Sequence, residues 1–277
     1  MATNGSPTHV IEAGRSVNHY WRDLWQYREL LYFLGRRDIS VRYKQTIFGI
    51  AWAVIRPLAM MMVFTLVFGR IANLPSDGVP YSLLVFTGML PWFFFAGALS
   101  DSSNSLVLNA NLLTKVYFPR LLVPLSAIGV ALIDFLIGLV LLISLMMWLD
   151  YPPTFRIVAL PAFIVLSFAT ALGLGLWFSS LNVKYRDFQI VVPFLIQFGL
   201  YASPVGFSSR IIPEHWRFVF SMNPMVGVIE GFRWALLGDN FSLQYDSILI
   251  SIAVTLAILI SGLWFFRRTE RAFADVV

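Results

Sequence analysis

Apolar residues in this chain gather into long unbroken runs, separated by short polar, basic or proline-rich stretches. At a rise of ~1.5 Å per residue, a run of about 20 crosses a hydrocarbon layer of ~30 Å. Six crossings are predicted, over residues 47–68, 81–99, 121–149, 157–181, 188–203 and 248–266. The fifth is short for a full crossing and stops at Ser203-Pro204, where the proline disfavours helix in the residue before it. Residues 205–240 are broken by Pro213, Trp216, Asn223-Pro224, Gly227, Glu230, Gly231 and Arg233. Were 218–237 another crossing, Arg267, Arg268 and Arg271 would leave the side that holds most other basic residues. The segment is therefore read as a re-entrant or surface hairpin. The fold class is all-α, polytopic.

The first crossing rises from a basic foot, Arg42-Tyr43-Lys44, with Arg36 and Arg37 before it, which places the N-terminus in the cytoplasm. An even number of spans returns the C-terminus there. Residues 1–46 are a cytoplasmic tail and an amphipathic helix, 47–267 the membrane domain, and 268–277 a second cytoplasmic tail. Trp21, Leu24, Trp25, Leu31 and Leu34 recur at helical spacing among Arg22, Asp23, Gln26 and Glu29. That helix lies on the membrane surface or packs against the protein's own cytoplasmic side; the two are compatible. No short apolar core with a cleavage site precedes it, so no secretory signal is predicted.

Composition narrows the chemistry. With 58% hydrophobic and 13% charged residues, the chain falls outside the soluble class. It has no cysteine and only three scattered histidines, which excludes disulfides and gives no metal site. The net charge of +5 sits at the ends of apolar runs, where orientation and anionic lipid explain it, so nucleic acid is not expected. A phosphate-cradling loop needs a lysine followed by Ser or Thr, whereas the lysines here precede Gln45, Val116 and Tyr185. If ATP drives this protein, a second polypeptide binds it. An enzyme acting on lipid-linked sugars would need clustered acids or histidines near a membrane face, and Asp101, Asp187 and Asp239 are isolated.

Four features carry candidate function. Charges inside spans are costly unless paired or facing water, which singles out Arg56 and Asp134, either as a pair between the first and third spans or as separate groups facing a polar cavity or headgroups. Phe194, Phe198 and Tyr201 share one helical face beside Gln197, suited to stacking on sugars or to helix packing. The connection 109–124 is unusually apolar at Leu112, Leu113, Val116 and Tyr117, so something covers it. Ala169 and Gly173 have the small-xxx-small spacing of closely packed helices.

Several segments in order resemble the transmembrane subunit of bacterial ABC-2 type polysaccharide exporters, the permeases for O-antigen, capsule and teichoic acid. They are Arg42-Tyr43-Lys44-Gln45-Thr46 with Gly49 and Trp52, Gly88-Met89-Leu90-Pro91-Trp92, Lys115-Val116-Tyr117-Phe118-Pro119-Arg120, Val183-Lys184-Tyr185-Arg186-Asp187, Ser203-Pro204-Val205 and Asn223-Pro224-Met225. The resemblance implies a homodimer in the bacterial inner membrane, docked on two copies of a cytoplasmic ATPase that holds the ATP and magnesium, and exporting lipid-linked polysaccharide. It has no catalytic residues or cofactor of its own. It implies a coupling helix within Leu112, Lys115, Val116, Tyr117, Phe118, Pro119 and Arg120, supported by Arg36, Arg37 and Asp38. It implies a sugar path lined by aromatics, here Phe194, Phe198 and Tyr201, to which the reading of the residues adds Gln197, Arg56 and Asp134. The external gate is assigned to the hairpin, with Pro204, Pro213, Trp216, Pro224, Glu230 and Arg233. Arg56 departs from the uncharged residue expected before Pro57, which points to a more polar path or an anionic substrate. An ABC-2 exporter of a lipid or drug shares this architecture.

Overall fold

The structure is a computed structural model that describes residues 17–44, 51–116 and 118–270, side chains 17–21 and 239 excepted. Gln45, Thr46, Gly49, Tyr117 and Arg271, and the start of the expected first span, lie outside the described residues.

Helices α1 (Val17–Gln26) and α2 (Arg28–Lys44) precede the first long apolar helix, α3 (Ala51–Phe64), which continues as a π-helical segment, Thr65–Ile71. Then follow α4 (Tyr81–Leu108), the short α5 (Ala110–Lys115), α6 (Leu122–Trp148) and α7 (Leu160–Lys184), the last entered through a 3-10 turn at Phe155–Ala159. After α8 (Phe188–Tyr201) come two short helices, α9 (Glu214–Ser221) and α10 (Pro224–Leu237), and finally α11 (Tyr245–Thr269). Five stretches are long and apolar enough to cross a membrane: 51–71, 81–108, 122–148, 155–184 and 245–269. The sixth expected crossing is α8, whose 14 residues reach only ~21 Å, with Pro193 inside it.

The long helices alternate in direction and divide the loops between two ends. One, the basic end, carries α1, α2, α5, the 185–187 turn and the last turn of α11. The other, the hairpin end, carries 72–80, 149–154, 202–213 and 238–244. Tight turns there match their residues: Asn73, Asp77 and Asp150 have φ of 50°, 53° and 54°, a conformation that Asn and Asp tolerate better than bulkier side chains.

Helix α4 is the centre of the bundle, flanked by α6, α7 and α10, with α3 and α8 touching it less. Within lipid, helices gain from close packing rather than from leaving water, so small residues mark the tightest crossings. At the α7–α11 crossing a Cβ on Gly262 would stand 2.3 Å from the Gly173 carbonyl oxygen. Beside it Thr170 and Thr255 share a 2.9 Å hydrogen bond, and Trp177 stacks on Phe265. The small-residue spacing at Gly173 is thus used for packing.

Residues 205–240 leave and return at the hairpin end. Pro224 starts α10 at a position whose N–H needs no partner, and Asn223 caps it by accepting from the Met225 N–H at 3.0 Å. Helix α10 is buried over most of its length against α4, α7 and α11, whereas α9 is exposed on nearly every face.

Candidate functional site

At the basic end, Leu113 of α5 turns inward and joins Leu34, Leu106, Phe118, Leu121 and Phe266 in an apolar cluster. Asn111, Thr114, Lys115 and Val116 face outward, Leu112 is half-buried, and Leu108, one turn earlier, is 80% exposed. The connection therefore divides in two. Residues 108–116 present a small apolar surface with one cation, whereas Phe118 and Pro119 are buried. The Arg120 N–H donates to Glu270 Oε1 at 3.1 Å, and its guanidinium donates to the Glu270 carbonyl oxygen. Arg120 thus fastens the end of α11, a role its partner 150 positions away hides from the sequence.

Helix α2 does not lie flat across this end. Leu34 packs beside Leu122, and Arg42 reaches Asp134, so ~12 Å of α2 runs alongside ~18 Å of α6, counted at the helical rise. In the amphipathic segment Leu24, Tyr27, Leu31 and Leu34 face the protein, whereas Trp25, Tyr32 and Phe33 are exposed. Arg36 is exposed; Arg37 bonds Asp38 Oδ1 through Nε and Nη2 at 2.9 and 2.7 Å, and Asn109 Oδ1 through Nη2 at 2.6 Å. Arg42 Nη1 lies 3.0 Å from Asp101 Oδ2 and 3.3 Å from Asp134 Oδ2, and the Tyr43 hydroxyl donates to Asp134 Oδ1. Burial, then the bond to Asp134 and its charge, push the Tyr43 phenol up to about 12 against the opposing Arg42, so it is a proton donor at neutral pH.

Of the two readings of Arg56 and Asp134, these contacts favour separate groups over a pair. Asp134 is engaged by α2, which climbs far enough along α6 to meet it. Arg56 sits on an exposed face of α3 with no ion pair among the described residues.

On α8, Val192 is buried, Ile196 and Leu200 pack against the core, and Gly199 fits under Trp92. The opposite face carries the expected set: Phe194, Phe198 and Tyr201 are 66%, 64% and 63% exposed, and Gln197 is exposed with them. The turn after α8 reaches the far part of the first span, where Gly206 abuts Phe64 and Phe68. A guanidinium on α3 with no ion pair among the described residues and an amide on α8 are costly against lipid, so these faces are suited to a polar lumen.

The hairpin residues separate likewise. Pro213 and Trp216 are exposed, Pro224 is half-buried, and Pro204, Glu230 and Arg233 are buried. Arg233 pins the hairpin to the bundle: Nη1 donates to the Phe207 carbonyl oxygen at 2.9 Å, and Nη2 to those of Val205 at 3.1 Å and Leu84 at 3.2 Å. A Cβ on Gly88 would stand 2.8 Å from the Val205 oxygen, so only glycine lets this loop approach α4. Arg210 ties the neighbouring loop, to Asp77 at 3.4 Å and to the Asn240 carbonyl oxygen at 2.9 Å. Asp101, Asn109 and Gly88 were not expected at the site, since their roles depend on partners distant in sequence. Among the described residues no three His, Cys, Asp or Glu side chains converge as metal ligands would. The arrangement offers surfaces and ion pairs.

The family model described as ABC-2 type transporter matches residues 29–237. An O-antigen export system permease protein RfbA from Myxococcus xanthus is 28% identical over 258 residues, covering 92% of this chain and 98% of its own. One of the same description from Klebsiella pneumoniae is 27% identical over 250 residues, covering 90% and 95%. The polysialic acid transport protein KpsM of Escherichia coli is 25% identical over 245 residues, covering 85% and 92%.

Proposed function

The chain belongs to the ABC-2 type transporter family, and on that premise we propose that it is the channel-forming transmembrane subunit of an ATP-driven exporter of lipid-linked, O-antigen-like polysaccharide. The observation that carries this reading is its similarity, over nearly the whole of both chains, to permeases described as exporting O-antigen. The geometry is in keeping with it.

The basic end faces the cytoplasm of a bacterial inner membrane, with both termini there, since Lys and Arg are retained on that side. Leu108, Asn111, Lys115 and Val116 seat in a separate ATPase subunit, present in two copies with its own ATP and magnesium. Two copies of this chain face each other across α3 and α8, so that Arg56, Phe194, Gln197, Phe198 and Tyr201 line the path. Ring faces then stack on the apolar faces of sugars while the amide and guanidinium meet hydroxyls or acidic groups. Closure of the ATPase dimer moves α5, and the helices transmit that motion as rigid bodies.

The test is gentle purification of the tagged chain from its native membrane, together with deletion of its gene. An ATP-hydrolysing partner in equal amount, and lipid-linked glycan accumulating inside the deletion strain, are expected. A partner without glycan accumulation would turn the reading to a lipid or drug exporter; repeated isolation without any ATPase would overturn it.

A further inference from the structure

Resting on the exporter reading for its role but not for its existence, we propose that Arg42 and Tyr43 form a releasable latch. It ties the arm made of α2 and α3 to α4 and α6, and its release is a step in opening the path.

Helix α3 is held weakly along its length. In the most apolar window of 51–71 only 11% of positions are buried, against 78% for the corresponding window of α4. Within α3 only Met61 and Phe64 are buried. A polar fastening comes at the end of α2: one nitrogen of Arg42 serves Asp101 on α4 and Asp134 on α6, while Tyr43 takes the other oxygen of Asp134. Two carboxylates share one cation, so neither has it alone. Breaking such a contact exchanges partners without opening a cavity, whereas an interdigitated apolar seam resists small displacements.

The latch is also placed to be worked from α5. Arg37, on the same helix, bonds Asn109, the residue that joins α4 to α5. Leu34, 3% exposed in the basic-end cluster, supplies a pivot on the far side of these polar contacts from α3. A push on α5 therefore reaches Arg42 through one continuous helix, at a lever arm of ~12 Å from the pivot. Arg42 is a positioning residue: it touches helices rather than glycan.

The chain has no cysteine, so spin labels can be placed at will. Val41→Cys and Leu136→Cys put labels on α2 and α6 at sites 60% and 49% exposed, outside the latch. Labelled chain, diluted with unlabelled chain and reconstituted with the co-purified ATPase, is measured by pulsed electron resonance. One short distance is expected without nucleotide, and a second, longer one with ATP. Arg42→Gln raises the longer population ~10-fold without nucleotide, a size common for coupled equilibria. Asp101→Asn with Asp134→Asn does the same while leaving Arg42 in place. Should either fail to accumulate in the membrane, Tyr43→Phe, which removes one hydrogen bond, shifts the distribution in the same direction. An unchanged distribution in the folded variants overturns the latch whatever ATP does. A shift in Arg42→Gln with a wild-type chain blind to ATP keeps the latch and removes ATP-driven export.

Discussion

A guanidinium among apolar side chains needs its charge and its five donors answered, and Arg233, Arg42 and Arg56 are answered differently. Arg233, 1% exposed, uses main-chain carbonyl oxygens of Leu84, Val205 and Phe207, with the charges of Glu230 and Asp77 near enough to act on it. Arg233→Met strands those oxygens at a cost of ~1–3 kcal/mol each where no helix bond remains. Arg233→Lys keeps the charge but loses the fork. Both variants are expected to melt at lower temperature in detergent than the wild-type chain, and an unchanged midpoint for Arg233→Met would show that the pin contributes nothing. The sequence marks Arg56 and Asp134 as costly charges within spans, and places Glu230 and Arg233 in the hairpin. It could not name their partners: Arg42 and Asp101 stand 59 positions apart, Arg233 and Leu84 stand 149 apart, and a carbonyl acceptor leaves no trace in residue type.

Among elements, span positions were legible because a run of apolar residues is a local property. Ends were less so. Helix α4 continues to Leu108, beyond the expected 99, since its last turns carry polar side chains that bond backward within the helix: Ser103 and Asn104 to the Ser100 carbonyl, Ser105 to that of Ser102. Polarity ended the membrane run without ending the helix. The segment proposed to couple to the ATPase reads as a block in the sequence, because its apolar residues look alike, but burial separates them. Lys115→Glu is expected to leave melting unchanged and to reduce export relative to ATP hydrolysis. Phe118→Ala removes a buried ring and destabilises by ~3–5 kcal/mol, seen as loss of folded protein rather than as uncoupling. Proportional loss of export and hydrolysis in well-folded Lys115→Glu would remove α5 from the interface. Packing at the α7–α11 crossing is tested the same way. Gly262→Ala forces a methyl against the Gly173 oxygen and is expected to destabilise by ~1–3 kcal/mol. Gly129→Ala, where nothing lies within 4 Å, is expected to be neutral or stabilising by ~0.5–1 kcal/mol. Equal midpoints for the two variants would deny the close crossing.

Across the whole molecule, the question is which exposed apolar faces meet lipid and which meet water, for exposure alone does not distinguish them. Val140 on α6 and Val165 on α7 are 64% and 65% exposed, close to Phe194 and Phe198 on α8. What separates the faces is the polar company: Gln197 among the aromatics of α8 and, on α3, Arg56 with no ion pair among the described residues, against aliphatic neighbours such as Leu136 around Val140. A guanidinium facing hydrocarbon would cost at least ~2.5–3.5 kcal/mol, which supports the proposed lumen along α3 and α8 over contact with lipid. Because the chain lacks cysteine, single substitutions report this directly with a charged, water-soluble thiol reagent, which reacts with thiolate only where water reaches it. Phe198→Cys and Tyr201→Cys are expected to react, faster when ATP opens the path, and Val140→Cys and Val165→Cys to stay unmodified throughout. Prior binding of a matching glycan should slow the reaction at Phe198→Cys and leave a loop control such as Ser76→Cys untouched. Equal protection at all four membrane positions would place α8 against lipid or sealed protein, and the path would have to run elsewhere in the dimer.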